Sequence, residues 1–233
     1  MSFLINALRD LLSVLLPKKC CGCGTFLEGD ERDLCTHCLA HLPLTHYGAV
    51  TNNATELRLM GRIHFEAATS LMHFHKGNIA QGIVHAIKYY GEEDLGFRMG
   101  RLLGYDLAAS HRFDDIDIVI PVPLHKKKER ERGYNQSLLL CRGIADICKW
   151  PIATDVIIRH IYTESQTRKD RKGRIDNISN AFEVIKPDAI AGKHILLVDD
   201  VITTGSTIAE CADRILEVEE TRISIASLTI AGS

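Results

Sequence analysis

The distribution of apolar and polar residues predicts strands and helices that alternate along most of the chain. Four consecutive apolar residues at 195–198 indicate a buried strand, and apolar residues at helical spacing follow from 208 to 216. The same spacing predicts helices that begin at 79, 94 and 138, and other apolar runs predict strands at 65–74, 117–120 and 156–159. Alternation at 222–231 predicts a last strand near the sheet edge. The pattern is typical of an α/β domain.

Polar residues at the end of the predicted strand 195–198 indicate a binding site. Asp199 and Asp200 follow this strand directly, and a loop of four hydroxyl residues around one glycine comes next: Thr203, Thr204, Gly205, Ser206 and Thr207. A loop that leads into a helix N-terminus favours anions, because free N–H groups and the helix dipole point at it. Ionised carboxylates accept hydrogen bonds, and sugar hydroxyls donate them. The segment therefore predicts a ribose 5-phosphate site, with hydroxyls on the aspartates and phosphate in the loop.

An ordinary strand-to-helix turn is the alternative interpretation of this segment. Thr207 would then cap the helix, and Glu210 would complete a capping box. This alternative gives no reason for the paired aspartates or for Gly205.

Composition narrows the class of protein. The 233 residues are 45% apolar and 25% charged, as in ordinary soluble domains, and the formal net charge of -2 means that any nucleic-acid binding must come from local patches. No apolar run approaches the ~20 residues that span a bilayer, so we expect no stable membrane insertion and a cytoplasmic location. The first 17 residues carry a helical leucine stripe, which predicts a short amphipathic helix. A signal peptide is the alternative, but Arg9 and Asp10 interrupt its apolar region and no small-residue cleavage site precedes Pro17.

Four cysteines form two Cys-x-x-Cys pairs separated by eleven residues: Cys20, Cys23, Cys35 and Cys38. Four thiolates match the tetrahedral preference of structural zinc, and the polar segment between the pairs is too short to bury a core of its own. Disulfides are the alternative, although thiols stay reduced in the cytosol. His37 lies inside the second pair, and we expect it to face solvent or the surroundings of the metal. Residues 42–60 have no strong periodicity and are interpreted as a connector.

Two strongly basic stretches are predicted as loops. Pro121, Val122 and Pro123 end the strand at 117–120, because proline cannot donate to a sheet ladder. Residues 126–132 follow with five cations against two acids, and residues 168–174 carry five cations against one acid. Both suit a polyanion such as pyrophosphate or nucleic acid, and solvated charged loops are the alternative.

The segment 194–210 closely resembles the phosphoribosyl pyrophosphate (PRPP) motif of type I phosphoribosyltransferases. The order of further motifs resembles the ComF family, an amidophosphoribosyltransferase-like group associated with DNA uptake in competent bacteria. This order runs through the double Cys-x-x-Cys, Ile87-Lys88-Tyr89, Pro121-Val122-Pro123-Leu124, Glu131-Arg132-Gly133-Tyr134-Asn135-Gln136, and Ser165-Gln166-Thr167 with Arg174. The resemblance implies a mainly parallel sheet flanked by helices at 48–233, and an N-terminal helix with a zinc knuckle at 1–47.

The resemblance also implies roles for individual residues. Asp199 and Asp200 would bind the ribose hydroxyls and lie beside the reacting carbon as catalytic residues, and Thr203 to Thr207 would hold the 5-phosphate. The backbone at Val122 would approach pyrophosphate, and a flexible loop that includes Arg168, Arg171 and Arg174 would close over the site. Mg²⁺ would bridge pyrophosphate and ribose oxygens.

Two functions are compatible with the sequence. The first is a PRPP-binding phosphoribosyltransferase-like protein with a structural zinc ion, for which no side chain stands out as a general base and no residue identifies the acceptor. The second is a transformation factor that keeps the fold without transfer chemistry and contacts single-stranded DNA, or DNA-uptake or recombination proteins, through its basic loops.

Overall fold

The computed structural model describes residues 18–160 and 181–232 of the chain. The helix predicted for residues 1–17 and the basic stretch at 168–174 lie outside these ranges. The described helices are α1 (Thr36–Ala40), α2 (Ala54–Leu59), α3 (Ile79–Tyr89), α4 (Glu93–Ala108), α5 (Lys126–Arg132), α6 (Gln136–Cys148) and α7 (Ser206–Leu216). The strands are β1 (Ala68–Phe74), β2 (Ile118–Pro121), β3 (Ile157–Arg159), β4 (Phe182–Val184), β5 (His194–Ile202) and β6 (Arg222–Ala231).

The central sheet has four parallel strands in the order β1-β6-β5-β2. Leu197 of β5 pairs with Ile120 of β2 on one side and with Ile225 of β6 on the other. Because all four strands are parallel, their carboxyl ends lie along one edge of the sheet, which is where open α/β folds place ligands. A separate antiparallel pair, β3 with β4, holds Arg159 opposite Phe182.

Hydrophobic clusters cover both faces of the sheet, as expected for parallel strands. Alternate residues of β5 divide between them: Leu196 and Val198 join a cluster with α3, α4 and α6, and Ile195 and Leu197 join a second cluster with α7. Helices α4 and α6 lie so close together that a Cβ on Gly143 would collide with the carbonyl oxygen of Phe97. The sheet is thus held rigidly from both sides, and its carboxyl edge is a fixed platform.

The prediction that residues 222–231 form a strand near the sheet edge is wrong in position. Strand β6 lies between β1 and β5, and its residues 223–230 are all buried. Three of these residues are hydroxyls that gave the sequence a half-exposed appearance, but they bond inside the protein; Ser227, for example, lies 2.7 Å from the hydroxyl of Ser70 on β1. Internal hydrogen bonds therefore replace the solvent that the alternation suggested.

Two segments interpreted as irregular contain helices. Residues 54–59 of the predicted connector form α2, which Asn53 caps by accepting hydrogen bonds from the amides of Thr55 and Glu56. Residues 126–132, predicted as a loop, form α5, which ends at Gly133 with a φ of 86°. Both helices are too short for hydrophobic periodicity to identify them.

Strand β2 keeps its pairing with β5 beyond Pro121. The ladder between β2 and β5 continues past Pro121, because the amide of Val122 donates to the carbonyl of Val198 at 2.8 Å. Pro121 is tolerated since β2 is the last strand of the parallel sheet.

None of the helices in the described ranges combines the length and apolarity that a membrane crossing requires.

Candidate functional site

The carboxyl ends of β2 and β5 bring the predicted ligand-binding segments together. Val122 lies directly after β2, and its neighbour across the ladder, Val198, immediately precedes Asp199 and Asp200. The hydroxyl-rich loop 203–205 then connects β5 to α7. Segments that are 77 residues apart in the chain, Val122 and Asp199, therefore share one edge of the sheet.

Asn135 and Ser137 join these two segments through hydrogen bonds. The side-chain amide of Asn135 donates to the carbonyl of Val122 at 3.1 Å, and its oxygen accepts the amide of Ser137 at 2.9 Å. The hydroxyl of Ser137 donates to Asp199 Oδ1 at 3.2 Å. Both residues are buried. In the sequence, Asn135 stands out only as part of a motif and Ser137 does not stand out, because their contacts depend on α6 starting beside the sheet edge.

The two aspartates differ in their surroundings. Burial, together with the charge of Asp200, raises the pKa of Asp199 to about 7, although a hydrogen bond from the Asp200 amide at 2.9 Å and the charge of Lys88 oppose this shift. Asp200 forms an ion pair with Lys88 of α3, whose Nζ lies 2.9 Å from Asp200 Oδ2. In the sequence, Lys88 stands out only as part of the Ile87-Lys88-Tyr89 motif, and no sequence pattern connects it with Asp200. The pair is thus a compact acceptor site next to one cation.

The predicted phosphate loop leads into the N-terminus of α7. Helix α7 begins at Ser206, and its N-cap residue, Gly205, has a φ of 80° and provides no capping side chain. Thr203, Thr204, Ser206 and Thr207 are exposed, whereas Gly205 is buried. The hydroxyls of Thr204 and Ser206 lie 2.9 Å apart. The loop therefore presents hydroxyls and helix-terminal amides to one region of the surface, as an anion site requires.

The capping-box alternative is wrong. Thr207 lies inside the first turn of α7 and is not its N-cap residue. Glu210 is turned to another partner, because its Oε1 accepts the amide of Ala181 at 2.9 Å. Helix capping therefore does not explain the composition of this loop.

Helix α2 supports the loop from outside. No pattern in the sequence predicted this helix. The guanidinium of Arg58 donates to the carbonyl of Thr203 and, at 3.1 Å, to that of Ala231. A Cβ placed on Gly205 would lie 2.8 Å from Leu59 Cδ2, so Leu59 would have to move, and the φ of 80° also favours glycine here. Helix α2 is itself anchored by an ion pair between Glu56 and Arg112.

Basic residues surround the other side of the site. Helix α5 follows the Pro121-Val122-Pro123 turn, and a pocket of about 250 Å³ lies between this turn, α5 and β3. Arg132 stacks on the ring of Tyr89 at 5.5 Å, and burial, followed by the charges of Arg159 and Arg132, lowers the pKa of Lys128. Of the predicted basic residues, Arg168, Arg171 and Arg174 lie outside the described ranges. Strands β3 and β4 flank that segment and hold His160 against Ala181 through a 2.8 Å hydrogen bond.

The four predicted metal ligands lie together in a separate site. The sulfur atoms of Cys20, Cys23, Cys35 and Cys38 are all within 4.8 Å of one another and could hold a metal ion. Two amides, those of Gly22 and Cys35, donate to the sulfur of Cys20 at 3.4 Å and 3.2 Å, which stabilises a thiolate. A hydrogen bond from the Thr25 hydroxyl lowers the pKa of Cys23 to about 6.

The other residues of the knuckle remain outside the metal cluster. Burial raises the pKa of Cys21 to about 11, and its thiol is not among the four clustered sulfurs. His37 is exposed and stacks on His41 at 4.3 Å, as expected for a residue facing solvent. The cysteines are all free thiols, so the disulfide alternative is not supported.

A histidine-centred group at the opposite edge of the sheet has no access to substrate. His194 Nδ1 lies 2.9 Å from Asp115 Oδ1, and His194 Nε2 lies 2.9 Å from the hydroxyl of Ser224. This order of groups is that of a nucleophilic triad, but Ser224 is fully buried within β6. The group therefore links the amino ends of β5 and β6 and is not a second active site.

Comparisons with known proteins agree with the geometry. Residues 137–232 match the phosphoribosyl transferase domain family. This match, together with the parallel sheet flanked by helices, confirms the predicted fold class.

Three relatives show the range of similarity. DNA utilization protein YhgH of Escherichia coli (strain K12) is 32% identical over 139 residues, which cover 58% of this chain and 60% of the relative. Competence protein F of Haemophilus influenzae is 34% identical over 121 residues (51% and 53%), and competence protein ComFC of Bacillus subtilis is 30% identical over 116 residues (50% and 45%). The matched region thus spans about 60% or less of these curated relatives. A hypothetical protein from Neisseria gonorrhoeae overlays with a TM-score of 0.38 and 16% identity over 71% of this chain and 72% of that one, which is too loose to bear on function.

Proposed function

We infer that this chain belongs to the ComF family of phosphoribosyltransferase-like proteins, and from that premise we propose that it binds PRPP at the carboxyl edge of its sheet. One observation carries the proposal: Asn135 and Ser137 connect the turn at Val122 with the acidic pair, and the loop 203–207 follows this pair directly at the same end of β5. PRPP carries a phosphate group, sugar hydroxyls and a pyrophosphate group, and each of these requires a different kind of surface. The three segments supply these surfaces in one place.

Each segment has a proposed role. Asp199 and Asp200 accept hydrogen bonds from the ribose hydroxyls, and the amides and hydroxyls of residues 203–207 hold the 5-phosphate. The backbone at Val122 contacts pyrophosphate, which is the leaving group. Arg168, Arg171 and Arg174 also bind pyrophosphate. A bound Mg²⁺ would supply positive charge to the departing pyrophosphate, since this ion prefers oxygen ligands. The acidic pair then faces the positive charge that develops on the sugar when the bond from C1 to pyrophosphate breaks.

Titration calorimetry with PRPP and Mg²⁺ tests the proposal. We expect the native protein to bind, and Asp200→Asn to bind at least about tenfold more weakly, because an amide oxygen is a poorer acceptor and the amide introduces donors. Asp146→Asn is the matched control, since Asp146 is an exposed carboxylate near the far end of α6. Metal content should be the same in all three proteins. A native protein that fails to bind PRPP would overturn the proposed function.

Transfer of the phosphoribosyl group to an acceptor is tested separately, with the same PRPP complex. An acceptor must attack C1 as pyrophosphate departs, so turnover releases one pyrophosphate for each new bond. Incubation of the PRPP complex with a panel of amines and nucleobases, followed by pyrophosphate detection, distinguishes an enzyme from a PRPP-binding protein.

Single-stranded DNA is the second candidate ligand, and helix α5 favours it. This helix brings five cations (Lys126, Lys127, Lys128, Arg130 and Arg132) beside the site, and three relatives carry names that refer to DNA utilization or competence. Binding through phosphates must weaken steeply with salt. We expect replacement of Lys126, Lys127 and Arg130 by glutamine to reduce the salt dependence of binding to an unstructured oligonucleotide. An affinity that changes neither with salt concentration nor with these substitutions would exclude single-stranded DNA as a ligand of α5.

The knuckle completes the proposal. We assign zinc to the four-cysteine cluster, because tetrahedral thiolate sites select this ion. Residues 1–47 would form the zinc-binding unit and residues 48–233 the phosphoribosyltransferase-like domain, and reduced thiols suit a cytoplasmic location.

A further inference from the structure

Lys88 forms an ion pair with the second aspartate of the candidate site, and the sequence gives no reason for it. Its Nζ lies 2.9 Å from Asp200 Oδ2. We propose that Lys88 is a positioning residue for PRPP, which orients the Asp199–Asp200 pair to accept the ribose hydroxyls and opposes its protonation. This inference deepens the proposed function and rests on it.

The ion pair lies where a charge interaction is strong. Asp200 is 7% exposed, and only a fifth of the Lys88 side chain is exposed. Among the residues that the structure describes, no other cation lies within ion-pair distance of Asp200, and its Oδ2 has no conventional hydrogen bond. Removal of Lys88 would leave the buried Asp200 carboxyl without its ion-pair partner, which is costly.

The effect of Lys88 reaches the first aspartate as well. Asp199 experiences the burial of its carboxyl group and the repulsion of Asp200, and both raise its pKa toward 7. The positive charge of Lys88 acts in the opposite direction. The pKa of about 7 already includes the charge of Lys88, so without this charge the pair would keep its proton to a higher pH, and a protonated carboxyl is a weaker acceptor for a diol.

Other charged groups around the pair do not substitute for Lys88. From α5, Lys128 experiences the positive charges of Arg159, Arg132 and Lys88, so these cations form one group. Helix α6 contributes the neutral hydroxyl of Ser137, and α7 contributes the buried thiol of Cys211, whose pKa is raised by burial and by Asp199. Lys88 is therefore the cation that directly contacts the acidic pair among these elements.

The end of α3 is built to hold Lys88 in place. The carbonyl of Ile87 accepts the hydroxyl of Tyr134 at 2.5 Å, and the ring of Tyr89 carries the guanidinium of Arg132 at 5.5 Å. Tyr134 is followed by Asn135, which holds Val122. The same short segment therefore fixes both the cation beside Asp200 and the turn proposed to contact pyrophosphate.

Lys88→Met, Lys88→Arg and a control, Lys149→Met, test the inference by PRPP titration calorimetry with Mg²⁺ between pH 6 and 9. Lys149 is an exposed lysine at the opposite end of α6 from Ser137, so its substitution removes one charge without touching the site. We expect Lys88→Met to lower affinity about tenfold or more at pH 7 and to move the midpoint of its pH dependence upward. Lys88→Arg should keep the native midpoint, and Lys149→Met should keep both native values.

A second measurement separates the inference from the proposed function. Carbon NMR titration of labelled aspartate carboxyls should give a higher pKa for Asp199 in Lys88→Met, with or without PRPP. If the native protein fails to bind PRPP, the proposed function is overturned and Lys88 has no ligand to position. If the native protein binds and Lys88→Met shows the native affinity and midpoint, only the role of Lys88 is overturned. Weaker binding with an unchanged midpoint and an unchanged Asp199 titration would also reject it, because a purely structural defect predicts that result.

Discussion

The guanidinium of Arg58 donates a hydrogen bond to the carbonyl oxygen of Thr203, at the start of the proposed phosphate loop. A trans peptide group directs its C=O and N–H in opposite directions, so a fixed Thr203 carbonyl also fixes the direction of the Thr204 amide. The same guanidinium holds the carbonyl of Ala231 at the end of β6. Helix α2 thus orders the loop before any ligand arrives, which reduces the entropic cost of binding.

Arg58→Lys should weaken PRPP binding while leaving the fold intact. A lysine ammonium is a point charge that cannot hold two carbonyls with the fixed fork of a guanidinium. We expect affinity to fall roughly three- to tenfold, corresponding to the loss of about one hydrogen bond to a charged donor. Calorimetry measures the change, and Arg62→Lys is the matched control on an exposed arginine four residues away. Equal losses in both variants would reject the role of Arg58.

Gly205→Ala should damage the phosphate loop more than Gly192→Ala damages its own turn. Both glycines have positive φ values, 80° and 69°, but only at Gly205 would the added Cβ meet another side chain, 2.8 Å from Leu59 Cδ2. Backbone strain should cost each variant about 1 kcal/mol, and displacement of α2 adds a further cost at Gly205. Chemical denaturation compares the stabilities, and phosphate or PRPP titration compares the sites.

Binding should separate these two glycine variants more clearly than stability. Gly192 lies in a turn where a Cβ meets nothing within 4 Å, so Gly192→Ala should bind PRPP as the native protein does. If Gly205→Ala also binds normally, the loop does not need its contact with α2.

The segments of the candidate site could be singled out from the sequence because each is a local pattern. A buried strand followed by Asp199 and Asp200, and a loop rich in hydroxyls around Gly205, can be interpreted without knowing what packs against them. The four knuckle cysteines are predictable for the same reason, since their spacing alone brings the sulfurs together. Helical periodicity also placed α3, α4 and α6 within a few residues of their observed bounds.

The residues that support the site were not predictable, because their partners are distant in the chain. Arg58 reaches Thr203 across 145 positions, and Lys88 reaches Asp200 from a different helix. Helices α2 and α5 are too short for periodicity. The central position of β6 was missed because Ser227 and Thr229 look solvent-exposed in the sequence but bond within the core.

Asp199→Asn should stabilise the protein at neutral and alkaline pH while weakening PRPP binding. The pKa of Asp199 is about 7 in the folded state, well above the ~3.9 of an unfolded aspartate. A raised pKa contributes stability that is fully present below about pH 4 and is lost as pH rises through about 7. An asparagine has no charge to bury, so the variant should keep this stability at pH 8.

Denaturation curves at pH 5 and pH 8 measure this effect. We expect Asp199→Asn to be more stable than the native protein by about 1 to 2 kcal/mol at pH 8, with little difference at pH 5. Asp146→Asn, at an exposed site on α6, should show no such dependence on pH. A native-like pH dependence in Asp199→Asn would show that the Asp199 carboxyl does not bind its proton more tightly in the folded protein than in the unfolded chain.

Cys20→Ser should remove the metal ion, and Cys21→Ser should not. The two cysteines are adjacent, but only Cys20 belongs to the cluster of four sulfurs, where its sulfur also accepts the amides of Gly22 and Cys35. A serine hydroxyl is a poor ligand for a soft-leaning ion that is otherwise held by thiolates, so the tetrahedral site would be incomplete. We expect about one zinc ion per chain in the native protein and in Cys21→Ser, measured by plasma mass spectrometry, and little or none in Cys20→Ser.

Loss of the ion should affect the knuckle before the sheet. Residues 28–36 contain few buried apolar side chains, so metal binding supplies much of the folding free energy of this segment. Limited proteolysis should therefore cleave Cys20→Ser within residues 28–36 faster than Cys21→Ser, while fragments from the parallel sheet stay resistant. Chelator treatment of the native protein should reproduce the Cys20→Ser pattern. Retention of zinc by Cys20→Ser, or its loss from Cys21→Ser, would mean that the ligand set is assigned wrongly.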